Sequence, residues 1–195
     1  MKEKTAARGE LIVTGLGGAG VLTIGTLLAQ AAARRYARVT WFPSYAISKR
    51  GGLCECTVVY SDEEIASPLL SQAEGVIVAE ALQFRDFLGR VRAAGTMVVE
   101  KAGLESRSER SDITVIEVPA IQEAITLTGD SRGANLVLLG AYIEATHRFP
   151  PELVTAEIEQ GFGGNKKITH ANLAAFEKGR RLVINHQVTM RAAAL

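Results

Sequence analysis

Two glycine-rich stretches hold the residue types best suited to chemistry. The first is Gly15-Leu16-Gly17-Gly18-Ala19-Gly20, in which Gly15, Gly17 and Gly20 meet the G-x-G-x-x-G spacing. Glycines there permit a tight turn and close backbone approach, and a helix starting just after them presents unpaired N–H groups to an anion. Three readings stay open: a dinucleotide site, glycines that only pack helix against strand, and a seat for a phosphate or another subunit's backbone. A dinucleotide also calls for a carboxylate about 20 residues on to hold the ribose. The corresponding segment, Thr40-Trp41-Phe42-Pro43, supplies none.

The second stretch is Pro43-Ser44-Tyr45-Ala46-Ile47-Ser48-Lys49-Arg50-Gly51-Gly52. Arg50 can give two parallel hydrogen bonds to a carboxylate or phosphate, and Gly51-Gly52 lets backbone come close behind it. Ser44, Tyr45 and Ser48 add hydroxyls, and Lys49 adds a point charge. A solvated connection with a basic pair is the plainer alternative. Cys54 and Cys56 form a C-x-C on an expected strand, both thiols on one face. His147, His170 and His186 lie far along the chain, and no C-x-x-C or H-x-x-E-H spacing exists, so buried structural thiols are expected. No serine occupies a G-x-S-x-G elbow, which leaves hydrolase chemistry unsupported. Arg34, Arg35 and Arg38 close the first expected helix as a solvated basic face, favoured by its dipole.

These residues need elements to hold them. Glu10–Thr14 is a β-branched apolar run ending at Gly15, and Val21 to Tyr36 repeats apolar residues at helical spacing, so the glycine turn joins a strand to a helix. Val39–Phe42 predicts a second strand stopped by Pro43, and Leu53–Tyr60 a third. Gly75–Ala79 is continuously apolar, as in a strand covered on both faces. A helix is expected over Ala81–Val91, strands over Thr96–Val99 and Ile113–Val118, and a helix from Pro119 to Thr128. The last third is helical: Ala134–Thr146, Pro151–Glu159 and Asn172–Gln187. The fold class is therefore α/β, a single Rossmann-like domain with a mostly parallel sheet flanked by helices and a helical C-terminal third. In such a sheet the Arg50 segment leaves the carboxyl edge, where ligands bind.

Composition narrows the function. The chain has 195 residues, a net charge of +1 and 47% hydrophobic residues, enough for one core. Near-neutral charge excludes a nucleic-acid binder that relies on a broad basic surface. Two cysteines are too few for a disulfide framework or a four-thiolate cluster. No run approaches the roughly 20 apolar residues of a membrane span, and the charged start lacks a signal peptide's pattern. A cytoplasmic location is expected.

The order of motifs resembles the gamma subunit, or gamma domain, of 2-oxoacid:acceptor oxidoreductases. That family shows G-x-G-G-x-G, V-T-W-x-P-S-Y, R-G-G and S-D-x-x-I-x-S-P in succession. Here they stand as Gly15–Gly20, Val39–Tyr45, Arg50-Gly51-Gly52 and Ser61–Pro68. Arg132–Ala141 resembles the family's r-x-A-N-x-x-x-L-G-A around Asn135, and Asn172–Gly179 resembles its closing helix. Ala19 replaces the family's usual glutamine. Ser48-Lys49-Arg50-Gly51-Gly52 is similar to the S-Q-R-G-G of indolepyruvate-type members, which adds an aromatic 2-oxoacid to the substrates implied.

The resemblance implies one gamma-type domain over residues 1–195. It implies an enzyme subunit that is inactive alone, within a complex that decarboxylates a 2-oxoacid oxidatively to an acyl-CoA. Electrons would pass to ferredoxin or NAD through partner subunits. The complex is implied to use thiamine diphosphate, Mg, iron–sulfur clusters and coenzyme A, with alpha, beta and ferredoxin-like (delta) subunits as partners. This chain has neither a G-D-G thiamine motif nor a ferredoxin cysteine pattern, Gly129-Asp130-Ser131 being the nearest approach to the former. Thiamine diphosphate and clusters are therefore expected in the partners, and no catalytic residue or metal ligand here. The residues implied to meet a cofactor are Gly15, Gly17, Gly18, Gly20, Ser44, Tyr45, Arg50, Gly51, Gly52 and Asn135, in contact with coenzyme A or the thiamine-binding subunits. Two rivals remain: a free-standing dinucleotide-binding Rossmann protein and a non-enzymatic interaction module.

Overall fold

The computed structural model describes residues 8–45 and 52–191. Its centre is a seven-stranded sheet built from β1 (Arg8–Leu16), β2 (Arg38–Tyr45), β3 (Leu53–Ser61), β4 (Ala73–Val78), β5 (Val91–Glu100), β6 (Thr114–Val118) and β7 (Thr189–Arg191). The spatial order is β2-β3-β1-β4-β5-β6-β7. The ladders β1–β4, β4–β5 and β5–β6 are parallel. Those joining β3 to β1, β2 to β3 and β7 to β6 are antiparallel. Because β3 opposes both neighbours, β2 runs in the same direction as β1. Five of the seven strands therefore share one direction.

Side-chain alternation along these strands feeds two separate cores. Leu11, Val13, Cys56, Val58, Ile77, Val98 and Ile116 face the main helical layer. That layer consists of α1 (Val21–Ala33), α4 (Ala134–Thr146), α5 (Pro151–Phe162) and α6 (Lys166–Ile184). Ile12, Val76, Val78, Met97, Val99 and Val115 face the other way, onto Phe84 and Phe87 of the short α2 (Phe84–Leu88) and onto connecting segments. Helix α4 is buried continuously from Asn135 to Ile143, between the sheet and α6. At their crossing a Cβ on Gly140 would lie 2.0 Å from the Phe176 carbonyl oxygen, and one on Gly179 1.9 Å from that of Val137. Only glycine lets the two helix backbones approach this far.

The carboxyl ends of β1, β4 and β5 set the stage for the site. Ala79 N–H donates to the Thr14 carbonyl at 2.8 Å, continuing the β1–β4 ladder to the edge. The Thr14 hydroxyl donates to the Gln83 side-chain oxygen at 3.0 Å, fixing the 3-10 turn Ala81–Gln83 over the end of β1. At the end of β5 the buried Glu100 carboxylate accepts from the N–H of Ala102 (2.8 Å) and of Ile121 (3.0 Å). It thereby caps α3 (Ala120–Thr128), whose own N-cap, Pro119, offers no side-chain acceptor.

Four expectations change. The helix expected over Ala81–Val91 is a 3-10 turn plus α2, ending at Leu88 with Gly89 beyond it, and Val91 already opens β5. The Arg90 guanidinium holds that corner, donating to the carbonyls of Ser71 and Leu70 and pairing with Glu55. The second strand runs through Pro43 to Tyr45, because β2 is an edge strand where a missing N–H is tolerated. The last helix starts at Lys166 rather than Asn172, capped by the Asn165 side chain, which accepts from the N–H of Lys167 and Ile168. β7 was not expected; it is a three-residue edge strand with too little pattern to read.

Candidate functional site

The glycine turn joins β1 to α1 as expected, and its glycines divide the work. Gly15 is a packing position, since a Cβ there would come within 2.8 Å of the Val21 side chain and 3.1 Å of Ala79. Gly18 (φ 101°) and Gly20 (φ 76°) hold left-handed backbone. A Cβ on Gly18 would meet nothing within 4 Å, so backbone geometry alone asks for glycine at that point. Gly17 N–H donates to the Gly52 carbonyl at 3.0 Å, tying the turn to the foot of the β2–β3 hairpin.

Gly20 is the N-cap of α1, and neither a capping side chain nor an acidic residue serves the first turn. The positive end of the helix dipole is therefore not answered by a capping or acidic side chain in the helix's own first turn. Asn135, in the first turn of α4 and 8% exposed, donates from its side-chain amide to the Gly20 carbonyl at 3.4 Å. The two motifs thus meet, although 115 residues separate them in sequence.

Beside this junction lies a cleft of about 550 Å3. Gly18, Gly20 and Thr23 form one wall, and Asn135 and Leu136 form its floor. The opposite wall comes from Phe162 at the end of α5 and from Lys167, Ile168 and Ala171 in the first turns of α6. Asp130 and Arg132 stand at the rim. Their side chains pair at 2.9 Å, and the guanidinium together with the Arg132 N–H holds the Asp130 carboxyl down at about 2. The charge of Arg132 is thus answered locally. Lys167 has no acidic partner among the described residues.

The remaining site residues fall elsewhere. Ser44 is exposed on edge strand β2, opposite Glu55 of β3, and Tyr45 pairs with Cys54. Strand β3 separates both from the β1 turn. Arg50 and Gly51 lie outside the described residues. Sequence reasoning missed Thr23, Phe162, Lys167 and Ile168. The last two follow from the late placement of the final helix, and Asn165, two residues ahead of Lys167, was the available N-cap signal.

The two cysteines are buried on the α1 face, as expected of structural thiols. Cys56 Sγ donates to the Val21 carbonyl at 3.5 Å, and burial pushes its thiol up to about 12. Among the described residues no group of three or more His, Cys, Asp or Glu could hold a metal ion, and no helix is long and apolar enough to cross a membrane.

Comparison with known proteins extends this picture. Residues 10–182 match the family described as pyruvate ferredoxin/flavodoxin oxidoreductase. The ketoisovalerate oxidoreductase subunit VorA of Methanothermobacter marburgensis is 32% identical over 168 residues, 86% of this chain and 35% of that protein. The chain thus spans about a third of that curated relative's length. Among solved structures, the gamma subunit of a keto/oxoacid ferredoxin oxidoreductase from Geobacter sulfurreducens PCA has the same fold. Its TM-score is 0.77 at 20% identity, covering 91% of this chain and 97% of that one. A 2-oxoglutarate:ferredoxin oxidoreductase from Magnetococcus marinus, solved with 2-oxoglutarate, coenzyme A and succinyl-CoA bound, aligns with a TM-score of 0.81 at 20% identity. That alignment covers 92% of this chain and 31% of the other. The fold therefore occurs both as a nearly whole chain and as about a third of a longer one.

Proposed function

Because the chain belongs to the pyruvate ferredoxin/flavodoxin oxidoreductase family, we propose that it is the gamma-type component of a 2-oxoacid:acceptor oxidoreductase. In this reading the complex oxidatively decarboxylates a 2-oxoacid to an acyl-CoA, with aromatic 2-oxoacids among its substrates. Electrons leave for ferredoxin or NAD through partner subunits of alpha, beta and ferredoxin-like type, in the cytoplasm. The observation that carries the reading is the family match over residues 10–182. The meeting of the Gly15–Gly20 turn, Gly52 and Asn135 at the carboxyl edge of the sheet supports it.

Thiamine diphosphate with its Mg ion, and iron–sulfur clusters, do not fit this chain's described residues. Its two thiols are buried against α1, with Cys56 held protonated, and carboxylates such as Glu100 are engaged by backbone N–H groups. The proposal assigns those groups to the partners and derives no step through them here. Coenzyme A fits better, because the uncapped start of α1 beside an open cleft suits a phosphate. When bound, coenzyme A supplies the thiol that takes up the acyl group. This chain's part is to bind and orient. Gly18 and Gly20 bring backbone N–H groups close, Gly17 ties the turn to Gly52 and Asn135 braces it, while Ser44, Tyr45, Arg50, Gly51 and Gly52 are assigned to contact with coenzyme A or the partner subunits.

Affinity purification of the chain from its native cells tests this. Co-purifying thiamine-binding and ferredoxin-like subunits with 2-oxoacid oxidation are expected. Full activity from the purified chain alone would overturn the reading. Saturable micromolar binding of NAD(H) or NADP(H) would favour a free-standing dinucleotide-binding protein instead.

A further inference from the structure

The two faces of the sheet are covered unequally. Four helices pack on one face, whereas the other meets only the five-residue α2 and connecting segments. Parallel sheets of α/β proteins carry cover on both faces. The bare area lies over β1, β3 and β2. Segment 62–72 crosses the amino half of β3 there, held by the Thr57 hydroxyl, which donates to the Pro68 carbonyl at 2.8 Å. The carboxyl half stays open.

Four large apolar side chains surround the opening. A Cβ on Gly25 of α1 would lie 2.7 Å from Trp41 Nε1, so Trp41 faces the helices and Phe42, next along β2, faces away. Phe42 is 41% exposed, and Leu53, opposite Leu16, 44%. Leu69 on the crossing segment is 65% exposed, and Leu82 on the turn pinned through Gln83 is 85% exposed. Apolar surface gathered on one half-face gains free energy when it is covered.

Two polar features say what covers it. Gln83 is 9% exposed, and its side-chain oxygen accepts from Thr14, but its amide nitrogen donates to no group among the described residues. That nitrogen is not enclosed and stands beside Thr14, which pairs with Glu55 of β3. At the other end of β3, the exposed Asp62, Glu63 and Glu64 form no ion pair among the described residues. Arg8 and Arg92 are spent on Glu10, which leaves Arg38 as the nearby cation.

Ser61 lies six positions beyond Glu55, about 20 Å along the strand. An α-helix covers that distance in about 13 residues. Laid with its first turn at the acidic run and its last turn at Gln83, such a helix has both ends answered. Carboxylates complement its positive end, and the amide supplies a donor to carbonyls left unpaired at the other. This chain's own helices of that length already belong to the opposite layer, so the occupant comes from another chain.

We propose that the open face over β1, β3 and β2 seats an amphipathic helix of a partner subunit, its apolar side on Phe42, Leu53, Leu69 and Leu82, its first turn at Asp62–Glu64 and its last at Gln83. The inference rests on the assembly reading and assigns a surface to it.

The test uses the complex purified through a tag on this chain, with mass photometry following its dissociation on dilution. Leu82→Asp and Leu53→Asp should each raise the concentration of half-dissociation about tenfold or more. Gln83→Glu keeps the acceptor for Thr14 but loses the donor, and should raise it roughly threefold to tenfold. Ile184→Asp, 51% exposed on α6, should leave it unchanged. Thermal midpoints of the isolated variants confirm folding, and Leu82→Asp at the most exposed position stays readable if Leu53→Asp unfolds. A photo-reactive phenylalanine in place of Leu82 should crosslink to the last turn of one partner helix, and one in place of Glu63 to its first turn. A complex indifferent to Leu82→Asp, or crosslinks to a second copy of this chain or to non-helical segments, would overturn the proposal and leave the assembly reading standing. A chain that co-purifies with no subunit would remove both.

Discussion

Gly17 and Gly52 are joined across the carboxyl edge of the sheet, the N–H of the first donating to the carbonyl of the second at 3.0 Å. The bond couples the turn that begins α1 to the foot of the β2–β3 hairpin. Whatever binds at the turn therefore also loads the chain at Gly52. Gly17 and Gly52 thus belong to one local structure, although a helix and a strand intervene between them in sequence.

Arg50→Ala is expected to lower the activity of the assembled enzyme, or its affinity for coenzyme A, by tenfold or more. That corresponds to about 1.4 kcal/mol or greater, as for the loss of a charge-assisted hydrogen bond. The thermal midpoint of the isolated chain should stay unchanged. A variant that unfolds would make the arginine structural and remove it from the site.

Gly20→Ala should destabilise the chain by about 1–3 kcal/mol, measured as a shift in urea midpoint at unchanged slope. The φ of 76° resists a side chain, and the new Cβ would lie 2.3 Å from the Asn135 amide. Gly18→Ala has the strain without the collision and should cost less. Equal losses at the two positions would show that the Asn135 brace adds nothing.

At the crossing of α4 and α6, Gly179→Ala drives a methyl into the Val137 carbonyl, which as backbone cannot rotate aside. A loss of about 1–3 kcal/mol or more is expected, with the helices forced apart. Calorimetry of Gly179→Ala and Gly140→Ala, singly and together, should give less than additive losses, because separating the helices once relieves both contacts.

Burial holds the Glu100 and Glu74 carboxyls above the ordinary carboxylate range, against the N–H bonds each accepts. A folded-state pKa above the unfolded one means that the native state keeps its proton longer. The stability each residue contributes is therefore fully present below the ordinary carboxylate value and is lost as pH rises through the folded value. Glu100→Gln should flatten the stability profile across that window, followed by urea melts at stepped pH. An unchanged profile would show that the Glu100 carboxyl titrates as it does in the unfolded chain.

Thiol reagents give a further check. With its thiol pushed up to about 12 and its sulfur buried, Cys56 should stay unmodified for hours at pH 8, whereas denatured chain should titrate as two thiols. Rapid native labelling at Cys56 would contradict the placement of α1 over β3.

Much of this architecture was legible because its signals are local and dense. The Gly15–Gly20 turn sits between a β-branched run and a 3.6-residue repeat, and α4 begins at Ala134 and ends at Thr146 as its pattern predicts. Pro43 misled because a proline's effect depends on whether its strand is internal or at an edge, which only the sheet order decides. Lys167 stayed out of view because the final helix is polar over its first turns and its start is marked by a single asparagine. The cleft itself is formed by residues more than 100 positions apart in sequence, as Gly20 and Asn135 are, and no window along the chain brings them together.

The continuous burial of α4 has a consequence in time. A helix with no wetted side cannot lend its amides to solvent through a local breath; they exchange only when the sheet-and-helix core around them opens as a unit. Asn135 stands at the head of that helix, so the floor of the cleft is mounted on the slowest-moving part of the molecule. Its opposite wall rides on the exposed first turn of α6. A ligand entering between them would meet one wall that keeps its shape and one that adjusts.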